Sequence, residues 1–180
     1  MTGTGTSIIP ARLRSRRWVG LFPVAVVFMC AGCRTQEGDN GALPDPSLPS
    51  SGARVSAIEP PPQGDIAPIV RGEYERSQRA GRQLVVYVGA TWCEPCERFR
   101  HAVENRELDA TFPKLTLLEF DADRDSERLR VAGYSARYIP MFALPRADGI
   151  ASGKQVEGGI KGNRAVSFVS DKLKGLLAEN

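Results

Sequence analysis

From Asp65 to the end of the chain, apolar positions recur with the spacings of regular structure, whereas before Asp65 they do not. Ile66, Ile69, Val70 and Tyr74 form a stripe at helical spacing, with Asp65 as a capping residue, Pro68 in the first turn and Gly81 as the stop. Leu84-Val85-Val86-Tyr87-Val88 is an unbroken apolar run of strand length, and Leu115 to Asp121 is a second with little alternation. Such runs suit parallel strands covered on both faces. Pro95 to about Asn105 carries Phe99 and Val103 at helical spacing, and a short helix is expected from Asp125 or Ser126 to Gly133. Met141 to Leu144 and Lys154 to Glu157 read as strands joined by a loop holding Asp148-Gly149 and Gly153. Asn163 then caps a last helix in which Val166, Val169, Leu173, Leu176 and Leu177 face inward. Two parallel strands with a crossover helix, followed by a hairpin, predict an α/β fold with a mixed central sheet of about four strands and helices on both faces.

The earlier residues have a different texture. Arg12, Arg14, Arg16 and Arg17 precede an uncharged apolar run from Trp18 to Met29, and the small residues Ala31 and Gly32 lead into Cys33. A positive region, a short apolar core and a small-residue site is the order of an export signal, and the core falls short of the roughly 20 residues that a membrane span needs. Arg34 to Gly64 is rich in proline, glycine and serine, with too few bulky apolar residues to offset the entropy of ordering, and reads as a tether. The expected organisation is an export signal over 1–32, Cys33 and a disordered tether over 33–64, and one folded domain over 65–180.

Charge changes the picture only by subtraction. The formal net charge is +3, but the four signal arginines are the only charged side chains before Cys33, so the remainder carries −1. That balance offers no basic face for nucleic acid. The four cysteines form two C-x-x-C pairs, Cys30/Cys33 and Cys93/Cys96, with 59 residues between them. Common zinc ribbons place about 15 to 20 residues between their pairs, and the first pair here closes an apolar signal core, so neither a metal nor a cofactor is expected.

Trp92-Cys93-Glu94-Pro95-Cys96 carries the chemistry. It follows a strand and opens a helix, where two thiols close a small ring and make a reversible disulfide switch. Free backbone N–H groups and the helix dipole favour an anion at Cys93, so its thiolate can attack a disulfide, and Cys96, one turn further in, can attack the resulting mixed disulfide. Pro95 forfeits no intrahelical bond in a first turn, and Trp92 covers one side of the sulfurs. Glu94 places a carboxylate beside Cys93, which opposes the thiolate while favouring the helix start.

Cys30-Ala31-Gly32-Cys33 resembles the lipobox of bacterial lipoproteins, with Cys30 where an aliphatic residue is usual, and that resemblance implies acylation of Cys33 and a membrane anchor. An ordinary cleaved signal and an uncleaved anchor are the alternatives. Ser15-Arg16-Arg17-Trp18-Val19 also resembles a twin-arginine export motif, so the export route stays open between that and the general one. Either route leaves the cytoplasm.

The W-C-x-P-C corner after a strand, Ile139-Pro140 downstream and the order of elements resemble thioredoxin over Asp65 to Asn180, and in particular the exported, membrane-tethered thioredoxin-like reductases of bacteria. The resemblance implies that Pro140 is cis and faces the cysteines, and that Ile139 offers backbone hydrogen bonds to substrate. It also marks a departure, because the buried aspartate that assists proton transfer in thioredoxin falls here on Tyr87. Water or another acid must serve Cys96, and Glu119 on the second strand is a candidate stand-in, against its reading as a strand-end surface carboxylate. His101 reads as a solvated or partly packed side chain, and Asp121-Ala122-Asp123-Arg124-Asp125 as an acidic turn. Gly158-Gly159 permits a backbone bend near the substrate groove.

The resulting expectation is a membrane-tethered thiol:disulfide oxidoreductase that reduces or isomerises protein disulfides outside the cytoplasm, resupplied by an unidentified electron donor. The alternatives are a binding module, or a redox sensor whose disulfide is structural or regulatory.

Overall fold

The computed structural model describes residues 53–179. The expected export signal, Cys30, Cys33 and the first part of the expected tether lie outside the described residues. Nine elements follow in order: β1 (Ser56–Ile58), α1 (Ile66–Arg79), β2 (Gln83–Gly89), α2 (Glu94–Glu104), β3 (Leu115–Asp121), α3 (Ala122–Val131), β4 (Met141–Pro145), β5 (Ala151–Glu157) and α4 (Ala165–Ala178). The strands form one sheet in the order β1-β3-β2-β4-β5. β3 runs parallel to both β1 and β2, while β4 runs antiparallel to β2 and β5.

β2 explains the layering. Its residues are buried from Leu84 onward, so alternate side chains enter two different cores. Val85 and Tyr87 join Phe99 and Ala102 of α2, Val169, Leu173 and Leu176 of α4, and Phe142 on one face. Leu84, Val86 and Val88 join Ile66 and Val70 of α1 and Leu129 of α3 on the other. The expected mixed sheet with helices on both faces is what the chain forms.

The differences are local. The sheet has five strands, because Ser56–Ile58, expected to lie in the tether, pairs with Thr116 to Leu118. Three residues are too few to show a period, and their pairing is set from far along the chain. The Val55 N–H donates to Asp109 Oδ1 at 2.9 Å, and Arg82 Nη2 donates to the Arg54 carbonyl at 2.8 Å. The stretch that follows is also held, since Arg128 donates to the carbonyls of Pro61, Pro62 and Gly64 at 2.8 to 3.3 Å. One guanidinium thus satisfies a proline-rich segment that has few N–H groups of its own. The fold therefore begins ahead of Asp65.

α3 starts earlier than Asp125. Asp121, the last residue of β3, is its N-cap, and Oδ1 accepts from the Asp123 and Arg124 N–H groups, both at 2.9 Å. The acidic run is thus a cap and a first helical turn. Gly133 ends α3 as expected, at φ +82, with its N–H on the Arg130 carbonyl and the Tyr134 N–H on that of Leu129. Two other caps differ: Asp65 precedes α1 without a side-chain cap bond, and Arg164 rather than Asn163 precedes α4. β5 also begins at Ala151, ahead of Lys154.

Candidate active site

The Cys93–Cys96 pair stands where the β2 chain turns into α2. Cys93 is the N-cap of α2, in extended conformation, with Pro95 in the first turn. Its N–H donates to the Ala90 carbonyl at 3.2 Å and its own carbonyl accepts from Glu97 at 3.0 Å, so the corner is bonded on both sides. The two sulfurs form a disulfide across a Cα–Cα distance of 5.2 Å. Cys93 keeps 5% exposure and Cys96 none, so only the outer residue borders solvent. Both pack with Ala90 against Ala122 and Ile139.

Three features border the corner that carries the pair. Trp92 is 68% exposed, and its indole Nε1 donates to Asp123 Oδ2 at 2.7 Å, which moors the ring to the first turn of α3. Ile139-Pro140 is a cis peptide, and the Pro140 carbonyl accepts from the Gly158 N–H at 2.8 Å. Gly159 is the third, against Pro95 and Pro140. A Cβ built there would lie 2.7 Å from Pro95 Cβ and 3.3 Å from Pro140 Cδ, so this backbone rests directly on both prolines. The approach to Pro140 is braced by Glu157, whose Oε2 accepts from the N–H groups of Arg137 and Tyr138 at 2.9 and 3.0 Å.

Beneath the pair, Tyr87 fills the position that the resemblance assigns to an aspartate. Its ring stacks on Phe142 at 5.0 Å and contacts Phe99 at 5.7 Å, and its hydroxyl is 3.4 Å from the Cys96 carbonyl. Burial pushes its phenol well above the ordinary range, with the Glu119 charge adding to the effect, so Tyr87 is a neutral group under Cys96. Glu119 lies beside Tyr87 in the β2–β3 register, and its carboxylate accepts from Arg100 Nε at 2.8 Å.

Glu94 does not project freely from the motif. Its Oε1 accepts from Arg98 Nε at 2.8 Å and from the Gly162 N–H at 3.1 Å. The Arg98 hydrogen bond, then that of Gly162, holds its carboxyl below the usual range.

Cys93, Cys96 and Ile139 are thus brought together, with Pro95 and Pro140 both against the Gly159 backbone, while Trp92 is bonded to Asp123, Glu94 to Gly162 and Glu119 to Arg100. Cys33 lies outside the described residues. His101 is exposed on α2, its Nδ1 3.3 Å from Glu104 Oε2. The sequence marks Asp123 only within an acidic turn and Glu157 only as a strand end, and it gives Gly162 no role. Only the Glu94/Arg98 spacing of four residues was a readable signal there. Among the described residues no cluster of His, Cys, Asp and Glu could hold a metal ion, and no helix is long and apolar enough to cross a membrane.

No protein-family model and no curated protein matches the chain. Solved structures do. Thioredoxin of Trichomonas vaginalis covers 70% of this chain and 97% of its own length at 19% identity and TM-score 0.42. Thioredoxin NaTrxh of Nicotiana alata covers 73% and 96% at 20% identity and TM-score 0.44. Thioredoxin of Fasciola hepatica covers 70% and 97% at 22% identity and TM-score 0.43. By its strand order, its connections and the cis Ile139-Pro140 peptide beside a strand-to-helix C-x-x-C corner, this chain has a thioredoxin-like fold.

Proposed function

We propose that the protein is a thiol:disulfide oxidoreductase that reduces or isomerises protein disulfides outside the cytoplasm, anchored to a membrane through acylated Cys33. The observation that carries the chemistry is the Cys93–Cys96 disulfide at the start of α2, with Cys93 as the N-cap and the sole member of the pair that borders solvent.

The reduced pair starts the cycle. The Cys93 thiolate attacks one sulfur of a client disulfide, forming a Cys93–client bond and releasing the other client sulfur as a thiolate. Cys96 then gives up its proton to water and attacks Cys93 Sγ. The mixed disulfide breaks, the second client thiolate leaves, and the Cys93–Cys96 bond forms. Two electrons have passed to the client, whose thiolates take protons from water. An external dithiol must reduce the pair again, so an electron donor is part of the proposal.

The helix N-terminus supports the nucleophile by placing partial positive charge near Cys93. Ile139 and Pro140 would line the client's path, and Trp92 would cover the opposite side. The export and anchoring parts rest on the arginine-led signal and on Cys33.

Insulin reduction by wild type and Cys93→Ser tests the reading. The variant is expected to lose turnover entirely, whereas turnover that persists without Cys93 refutes it. A binding module or a one-time sensor would leave wild type inactive as well.

A further inference from the structure

The Glu94 carboxylate ties together two parts of the chain 68 residues apart. One oxygen, Oε1, takes both the Arg98 guanidinium from the next turn of α2 and the backbone N–H of Gly162. An exposed pair four residues apart on a helix contributes little by itself. The bond to Gly162 is of another kind, because it joins the redox motif to the segment leading into α4. That same segment carries Gly159, seated on Pro95 and Pro140, and Gly158, whose N–H is bound by the Pro140 carbonyl. It is therefore fastened at Gly158 by the proline loop and at Gly162 by Glu94. Gly162 adopts φ +84, a conformation that favours glycine, and its carbonyl accepts from Ala165 at 3.0 Å where α4 begins.

We propose that Glu94 is a positioning residue: its carboxylate latches the segment from Gly158 to Gly162 over the proline wall and so sets the width of the client groove beside Cys93. The inference rests on the oxidoreductase reading for its functional consequence. Arg98, Gly162 and the Lys161 charge all favour the ionised carboxylate, so the latch is closed at neutral pH. Because Arg98 and Lys161 answer that charge, Glu94 opposes the Cys93 thiolate less than a free neighbour would.

Glu94→Ala and Glu94→Gln in the full chain separate the latch from a merely electronic effect. Alanine removes the acceptor, whereas glutamine keeps a carbonyl oxygen for Gly162 and removes only the charge. Amide hydrogen exchange at Gly162 is expected to rise about three- to tenfold in the alanine variant, as loss of one hydrogen bond implies, and to stay within about twofold of wild type in the glutamine variant. With a disulfide-bonded peptide as substrate, alanine is expected to raise KM several-fold with a smaller effect on kcat, and glutamine to restore KM. Unchanged exchange in the alanine variant overturns the proposal, and so does an effect on kcat alone. Should wild type reduce no disulfide at all, the oxidoreductase reading falls, while the exchange data still uphold or refute the latch.

Discussion

Gly159→Ala is a sharp structural perturbation near the pair. The methyl group would lie 2.7 Å from Pro95 Cβ, 3.2 Å from Pro95 Cγ and 3.3 Å from Pro140 Cδ. Carbon atoms in contact prefer about 3.5 to 4.0 Å, so the segment must retreat by about 1 Å. Neither proline ring can rotate aside, because each is closed onto its own backbone. Gly159 also lacks the left-handed φ of Gly158 and Gly162, so alanine brings no such backbone penalty and the overlap itself is the effect. Overpacking of this kind costs about 1–3 kcal/mol. For a domain of this size that corresponds to a fall in Tm of about 4–12 °C, read by far-ultraviolet circular dichroism. Under the proposed function the displaced backbone also disturbs the client's path beside Cys93, so insulin reduction is expected to show a raised KM. A variant with an unchanged Tm and unchanged KM would refute the claim that this backbone is seated on the two prolines.

Cys96→Ser should stall with the client bound through Cys93, and mass spectrometry after trapping would identify it; no mixed disulfide above the level of a Cys93→Ser control would count against the assigned order of attack. Burial raises the phenols of Tyr87 and Tyr134 above the ordinary value of about 10, so the folded state keeps protons that the unfolded state releases. Stability is then full below about pH 10 and lost as pH rises past it, and tyrosinate absorbance should grow together with loss of ellipticity; both phenols ionising in an intact fold would contradict this. Glu119→Gln should leave the pH profile of thiol exchange unchanged, because Glu119 faces Arg100, and a displaced profile would restore it as the proton-transfer group for Cys96.

Long apolar runs made most of the fold legible. β2 and β3 are buried on both faces, so nearly every residue reports its element, and the cysteines, Pro95 and Ile139-Pro140 punctuate the rest. β1 gave no such signal, since its three residues take their place from β3, Asp109 and Arg82. The start of α3 was hidden because Asp121 ends a strand and caps a helix at once. At the site, residue types pointed to the sulfurs but not to what braces them. The Asp123 bond to Trp92, the Glu157 bonds to Arg137 and Tyr138 and the reach of Glu94 to Gly162 all join residues distant in sequence. Tyr87 was visible as a departure, yet its seat between Phe99 and Phe142 under the Cys96 carbonyl needed the packing.

The central claim is that the Cys93–Cys96 pair cycles, and equilibration of the protein in glutathione buffers, with the free thiols counted by alkylation and mass spectrometry, tests it most directly. The account predicts a reversible two-electron transition with a midpoint more negative than about −180 mV. A pair that stays oxidised in every buffer would contradict the cycling, and a midpoint near −120 mV, as in strong oxidants, would contradict the reductase direction.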